Sequence, residues 1–229
     1  MKRLITLALV FLFAVPMALS AETLATLKAD ADAASKAALA APTNYDANWK
    51  AAKAWRDYGD KAVSGKVTDY KKIAEQSGQE GLKFGDIAQK LNPKGVEGWY
   101  WYGMCVGTYS DGVSIITAIR KGFKGKTQKA FETAYALNKM YDNCGPIAAL
   151  GRFWQVLPGI AGRDRDKAEK LFNEYLKIMA ANKDINMDVY FYRGELYKDL
   201  GKKAEAKADL TKAAAAGNND AKALLAELK

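Results

Sequence analysis

The chain has 229 residues, 49% hydrophobic and 27% charged, with a formal net charge of +9 and no histidine. Without imidazole there is no base for Ser-His-Asp or Cys-His nucleophile systems and no use of the commonest zinc ligand, so the composition points to a binding protein with no catalytic residue, metal or cofactor. A chain of this size can bury roughly 70% of the surface exposed when unfolded, enough for one continuous domain.

Residues 1–21 read as a cleaved secretory signal. Lys2 and Arg3 precede an apolar run over residues 4–15, Pro16 breaks it, and Ala18-Leu19-Ser20-Ala21 supplies small residues for cleavage near Ser20 or Ala21. The run is shorter than the roughly 20 residues that cross a bilayer. The expected mature protein is therefore periplasmic and not membrane-associated. Removing the two cations takes the formal charge from +9 to +7. Lysines alternate with acids along the chain, as in Lys202-Lys203-Ala204-Glu205-Ala206-Lys207, which reads as a solvated helical surface and not as a nucleic-acid face.

After the leader, residues 22–42 form an N-terminal helix, and residues 43–229 a continuous helical domain. Alanine, leucine, lysine and glutamate recur at three-to-four spacing, and turn signals divide the run. They are Ala41-Pro42-Thr43-Asn44, Asn92-Pro93-Lys94-Gly95, Asn143-Cys144-Gly145-Pro146, Pro158-Gly159 and Gly217-Asn218-Asn219.

Between these signals small and aromatic residues recur in the same order four times. The first copy has Ala52, Trp55 and Gly59, then Ala88 and Pro93. The second has Trp99 and Gly103, then Phe131 and Ala134. Leu150, Gly151 and Trp154 open the third, with Ala168 and Phe172 following. Tyr190, Gly194, Tyr197 and Gly201 open the fourth, with Ala206, Leu210 and Ala213 after them. This resembles the tetratricopeptide repeat, a helix–turn–helix unit of about 34 residues. The anchors 52, 103, 151 and 194 lie 51, 48 and 43 apart, so insertions are expected. The fold expected is all-α, an irregular tetratricopeptide-like superhelix. Within that family the insertion at residues 158–164 is similar to one in the periplasmic T component of tripartite ATP-independent transporters. That likeness implies a small apolar ligand in the pore; the lipid-anchoring cysteine of that group is missing here.

Other motifs carry less. Gly125-Lys126-Thr127 lacks a phosphate-loop glycine, since Arg120 occupies its place. Ile115, Ile116, Ile119 and Phe123 form an apolar stripe beside Arg120, Lys121, Lys124 and Lys126, expected to pack on a neighbouring helix. The pairs Asp57/Asp60, Asp164/Asp166 and Glu195/Asp199 read as surface charge, with Asp164 or Asp166 a helix cap. Cys105 and Cys144 form either a disulfide or two free thiols.

Gly98-Trp99-Tyr100-Trp101-Tyr102-Gly103 is the densest aromatic cluster. The repeat register sends Trp99 and Tyr102 to the core and leaves Tyr100 or Trp101 for a ligand. The likeness to tetratricopeptide proteins implies a concave groove lined by the first helix of each pair. Its inner positions are Trp49, Lys53 and Arg56, then Glu97, Tyr100 and Met104. Arg152 and Gln155 follow from the third unit, and Phe191, Glu195 and Lys198 from the fourth. This mixture suits another envelope protein, through a peptide with acidic ends, or a small amphipathic ligand.

Overall fold

The computed structural model describes residues 23–228, and the stretch read as a secretory signal lies outside them. The described residues form eleven α-helices, one 3-10 turn and no strand. In order these are α1 (Leu24–Ala40), α2 (Tyr45–Ser64), α3 (Tyr70–Leu91), α4 (Val96–Val113), α5 (Ile115–Arg120), α6 (Phe123–Asn138), α7 (Tyr141–Val156), α8 (Arg165–Met179), α9 (Asp188–Asp199), α10 (Lys203–Ala215) and α11 (Asn219–Glu227). None is long and apolar enough to cross a membrane.

Short polar side chains set five of the helix starts. Thr23, Asn44, Ser114, Asp164 and Asn218 each accept a hydrogen bond from the backbone N–H three residues on, which satisfies an otherwise orphaned donor. Asp164, not Asp166, is thus the cap of α8.

The helices pack as four antiparallel pairs, α2/α3, α4/α6, α7/α8 and α9/α10, with α1 against α2 and α11 against α10. Helix α5 lies within the second pair, and the 3-10 turn Gly159–Ala161 within the third, which accounts for long repeat spacings there. In the first pair the helices themselves are long, 20 and 22 residues. The anchors do what their size implies. A Cβ on Gly103 would stand 2.4 Å from the Phe131 ring, one on Gly151 2.7 Å from Phe172, and one on Gly194 2.7 Å from Leu210. Ala52 is fully buried, and its carbonyl accepts from Cys105 Sγ at 3.3 Å. The core divides accordingly into a cluster around Trp55, Trp101 and Tyr109, one around Ile147, Phe172 and Leu196, and a small one around Leu210. Such division is characteristic of stacked repeats, where each unit touches only its neighbours.

The closest helix contact joins two pairs. On α3, Gly78, Gly81 and Gly85 recur at helical spacing and face α4. A Cβ on Gly78 would lie 2.5 Å from the Tyr109 backbone nitrogen, and one on Gly81 2.4 Å from Cys105 Sγ. From the other side, a Cβ on Gly112 of α4 would lie 2.4 Å from the Glu75 backbone nitrogen. At Gly78 and Gly112 backbone meets backbone with no side chain between them.

Two expectations need correction, and one left open between alternatives is resolved. Trp99 is only half-buried, its indole N–H donating to the Pro93 carbonyl at 2.9 Å, whereas Tyr100 and Trp101 join Tyr102 in the core. Cys105 and Cys144 are both free and buried in different clusters, Cys105 against the Ala52 carbonyl and Cys144 beside Met140 Sδ. The turn expected over residues 143–146 begins earlier. Asp142, Asn143 and Cys144 have φ of 49°, 53° and 63°, a left-handed stretch at the start of α7. Aspartate and asparagine tolerate that region better than most side chains. Regular helix then starts near Pro146, where a missing N–H costs nothing.

Candidate binding groove

The first helices of all four pairs share one concave face. Tyr100, Met104, Gly107 and Asp111 lie along one stripe of α4, because steps of four and three residues return to the same side of a helix. Arg56 and Asp60 of α2 join them, as do Gly145, Ala148 and Arg152 of α7 and Asp188 and Tyr192 of α9. The inserted α5 closes one side with Ile115, Ala118 and Ile119. Its apolar stripe therefore turns inward in part, while Ile116 stays exposed. Together they enclose a hollow of about 600 Å³.

Gly107 keeps the hollow open. A Cβ there would meet nothing within 4 Å, although the position is mid-helix and glycine disfavours helix. The floor is aromatic, from Tyr100, Trp101, Phe131, Phe153 and Tyr175, all buried. A second hollow of about 270 Å³ shares Arg152 and Val156 with the first and extends the groove toward Lys198 and Leu224. A third depression, of about 610 Å³, lies along α6 alone, from Gly125 to Leu137; no other helix closes over it.

Both arginines of the main hollow are already engaged. Arg56 pairs with Asp57 at 3.2 Å and Asp60 at 3.3 Å. Arg152 donates to Glu195 at 2.5 Å and Gln155 at 3.0 Å, and its guanidinium lies 4.4 Å from the Tyr192 ring centre. Gln155 donates in turn to the Tyr192 carbonyl at 2.8 Å, tying α7 to α9. Burial pushes the Tyr192 hydroxyl up to about 12, against the opposing pull of Arg152. The Tyr100 hydroxyl is held well above the tyrosine range, first by burial and then by Asp142 beside it.

Asp111 is exposed by area, yet the walls of the hollow limit its hydration. That desolvation, reinforced by Asp60 and opposed by Arg152 and Arg56, raises its carboxyl to about 6 from 3.8. A raised folded-state value means that the native protein holds this proton when the unfolded chain has lost it. Asp111 therefore subtracts stability as pH rises from about 4 to about 6. Thermal melts across that window should show the wild type declining relative to Asp111→Asn. Parallel curves for the two proteins would contradict the assignment.

Of the positions expected in the groove, Arg56, Tyr100, Met104 and Arg152 line the main hollow. Gln155, Glu195 and Lys198 line the adjoining one. Four lie elsewhere. Trp49 donates to Asp46 at 3.1 Å near the start of α2. Lys53 pairs with Asp57 and sits over the Trp101 ring. Glu97, near the start of α4, accepts from the Tyr45 hydroxyl at 2.8 Å. Phe191 packs with Leu210 in the last core cluster. Sequence reading missed Gly107 and Asp111, which were legible as the next two positions on the stripe of Tyr100 and Met104. It also missed Asp188, which stands four residues before Tyr192 and seven before Glu195 on one side of α9, and Asp142, for which no periodic signal exists.

Four stacked helix pairs with a groove along their first helices define a tetratricopeptide-like helical repeat array. No family model and no curated protein matches this sequence. Among solved structures, a thermophilic TPR protein of Thermus thermophilus is similar, with a TM-score of 0.59 over 90% of this chain and 91% of that one at 18% identity. A tetratricopeptide repeat protein from Parabacteroides merdae aligns over 89% of this chain and 91% of its own at 16% identity, but its TM-score of 0.31 is too low to bear on the fold.

Proposed function

We propose that this is an exported, non-catalytic scaffold whose concave groove takes an extended segment of another envelope protein. The observation that carries this reading is the continuity of the groove. All four first helices contribute, and two hollows meet at Arg152 and Val156, giving a track longer than a single compact ligand needs. Tetratricopeptide-like arrays offer such surfaces because stacking leaves the inner wall uncovered. The leader over residues 1–21 supports export, and the lack of histidine supports a non-catalytic role.

Gly107→Leu tests the reading with little risk to the fold, since its side chain enters empty space. Affinity capture from an envelope extract should recover a partner with the wild type that Gly107→Leu loses, by tenfold or more. Retention of every partner by that variant defeats the proposal.

A second reading has one observation in its favour. The main hollow, with its aromatic floor, falls within the roughly 300–1,000 Å³ typical of small-molecule sites. A carrier of an apolar or amphipathic ligand, as in a solute-uptake system, would retain that ligand through purification. Native mass spectrometry distinguishes it, an added mass favouring the carrier and a clean mass the scaffold.

A further inference from the structure

We propose that the segment held in the groove is cationic, with lysine or arginine set between apolar side chains. This rests on the groove reading above and specifies the chemistry of its partner.

The chain is strongly basic as a whole, yet the mouth of its main hollow is acidic. Asp111, Asp142, Asp184 and Asp188 all border it and are all exposed. None forms an ion pair among the described residues; Asp188 only accepts from Asn218 at 2.8 Å. The cations that would balance them are committed elsewhere, Arg56 to Asp57 and Asp60, and Arg152 to Glu195. Lys124 is the one lining cation without a carboxylate partner among the described residues, which leaves three negative charges in excess at the mouth. An acidic occupant would meet like charge there, so the expectation of a peptide with acidic ends is reversed.

The floor agrees with the rim. The same hollow is lined by the buried rings of Tyr100, Phe153 and Tyr175, and by Trp101, whose ring already carries Lys53. Aromatic faces attract ammonium and guanidinium groups, and their apolar surface receives the methylene stems of lysine and arginine. A basic side chain can lie along the rings with its charge among the four aspartates, and an adjacent apolar side chain can fill the space that Gly107 leaves.

Selection of a random dodecapeptide display library on the mature protein tests this. Clones that bind wild type but not Gly107→Leu define groove ligands, with matched circular dichroism melts showing that the variant is folded. Those clones should carry a net positive charge, and a synthetic representative should bind Asp111→Asn/Asp142→Asn/Asp188→Asn at least tenfold more weakly. Its affinity for wild type should also fall with added salt. Neutral or acidic groove ligands, or undiminished binding by the triple variant, overturn the cationic assignment and leave the groove in place. A library yielding no clone sensitive to Gly107→Leu overturns the groove reading itself, and this inference with it.

Discussion

Gly78→Ala is expected to lower the melting temperature while Gly107→Ala raises it, although both glycines lie inside neighbouring long helices. Helix propensity alone favours alanine at each site by about 1 kcal/mol. The surroundings differ. A Cβ at position 78 would lie 2.5 Å from the Tyr109 nitrogen and 2.6 Å from its Cα, and backbone cannot rotate away as a side chain tip can. Helices α3 and α4 would have to separate along the whole Gly78, Gly81, Gly85 contact. Overpacking costs about 1–3 kcal/mol and occasionally more; rigid backbone partners place this case at about 3–4 kcal/mol, which leaves about 2–3 kcal/mol net of the propensity gain. In a domain of this size that is a fall of roughly 4–12 °C. At position 107 the methyl enters open space, so a gain of up to about 1 kcal/mol, or roughly 2–4 °C, remains. Scanning calorimetry of the two single variants decides it; shifts of the same sign would show that the tight α3–α4 contact is wrong.

The second large effect is expected at the C-terminal end. Arg193 of α9 grips Asp209 of α10 with two hydrogen bonds, 2.7 Å from Nε and 2.9 Å from its second terminal nitrogen, and reaches Asn173 of α8 at 2.6 Å. The Asp209 residue is 3% exposed. Replacing Arg193 by methionine leaves that carboxylate buried without a cation, which costs about 3–5 kcal/mol. Arg193→Met with Asp209→Leu removes both charges, and its cost should be within about 1 kcal/mol of zero, because the desolvation of the pair disappears with the pair. Helix α10 packs mainly on α9 and α11, so the single variant should open locally before the rest of the array. Hydrogen exchange should show protection lost in α10 and α11 and kept in α3 and α4. A single variant as stable as the double would refute the argument.

These effects divide cleanly between what periodicity reveals and what it hides. The anchors at 52, 103, 151 and 194 were legible because a small residue facing a large one is a local pattern that survives insertions. A helix cap at Asp164 or Asp166 and an apolar stripe on α5 were legible from equally local signals, but not which aspartate caps or that the stripe closes one side of the groove. The Gly78, Gly81, Gly85 ladder was also written in the sequence, at spacings of three and four, but its partner on α4 belongs to the next pair and nothing local names it. The fates of Trp49, Lys53, Glu97 and Phe191 show the limit of transferring groove positions by offset. Near a helix start, or where an aspartate stands one turn away, a side chain finds a partner on its own or an adjoining helix before it reaches the groove.

Helix propensity, caps and periodic burial are all encoded within a few residues, so the order of amino acids alone dictates a chain of paired helices with small residues at their crossings. Which charges stay free was decided only in three dimensions. Arg56 meets Asp60 one turn along its own helix, but Arg152 read as a groove cation until packing brought Glu195 of α9 against it, and the four aspartates at the mouth come from α4, the start of α7 and the approach to α9. The sign of the groove is a sum over distant segments, and no window of sequence contains that sum.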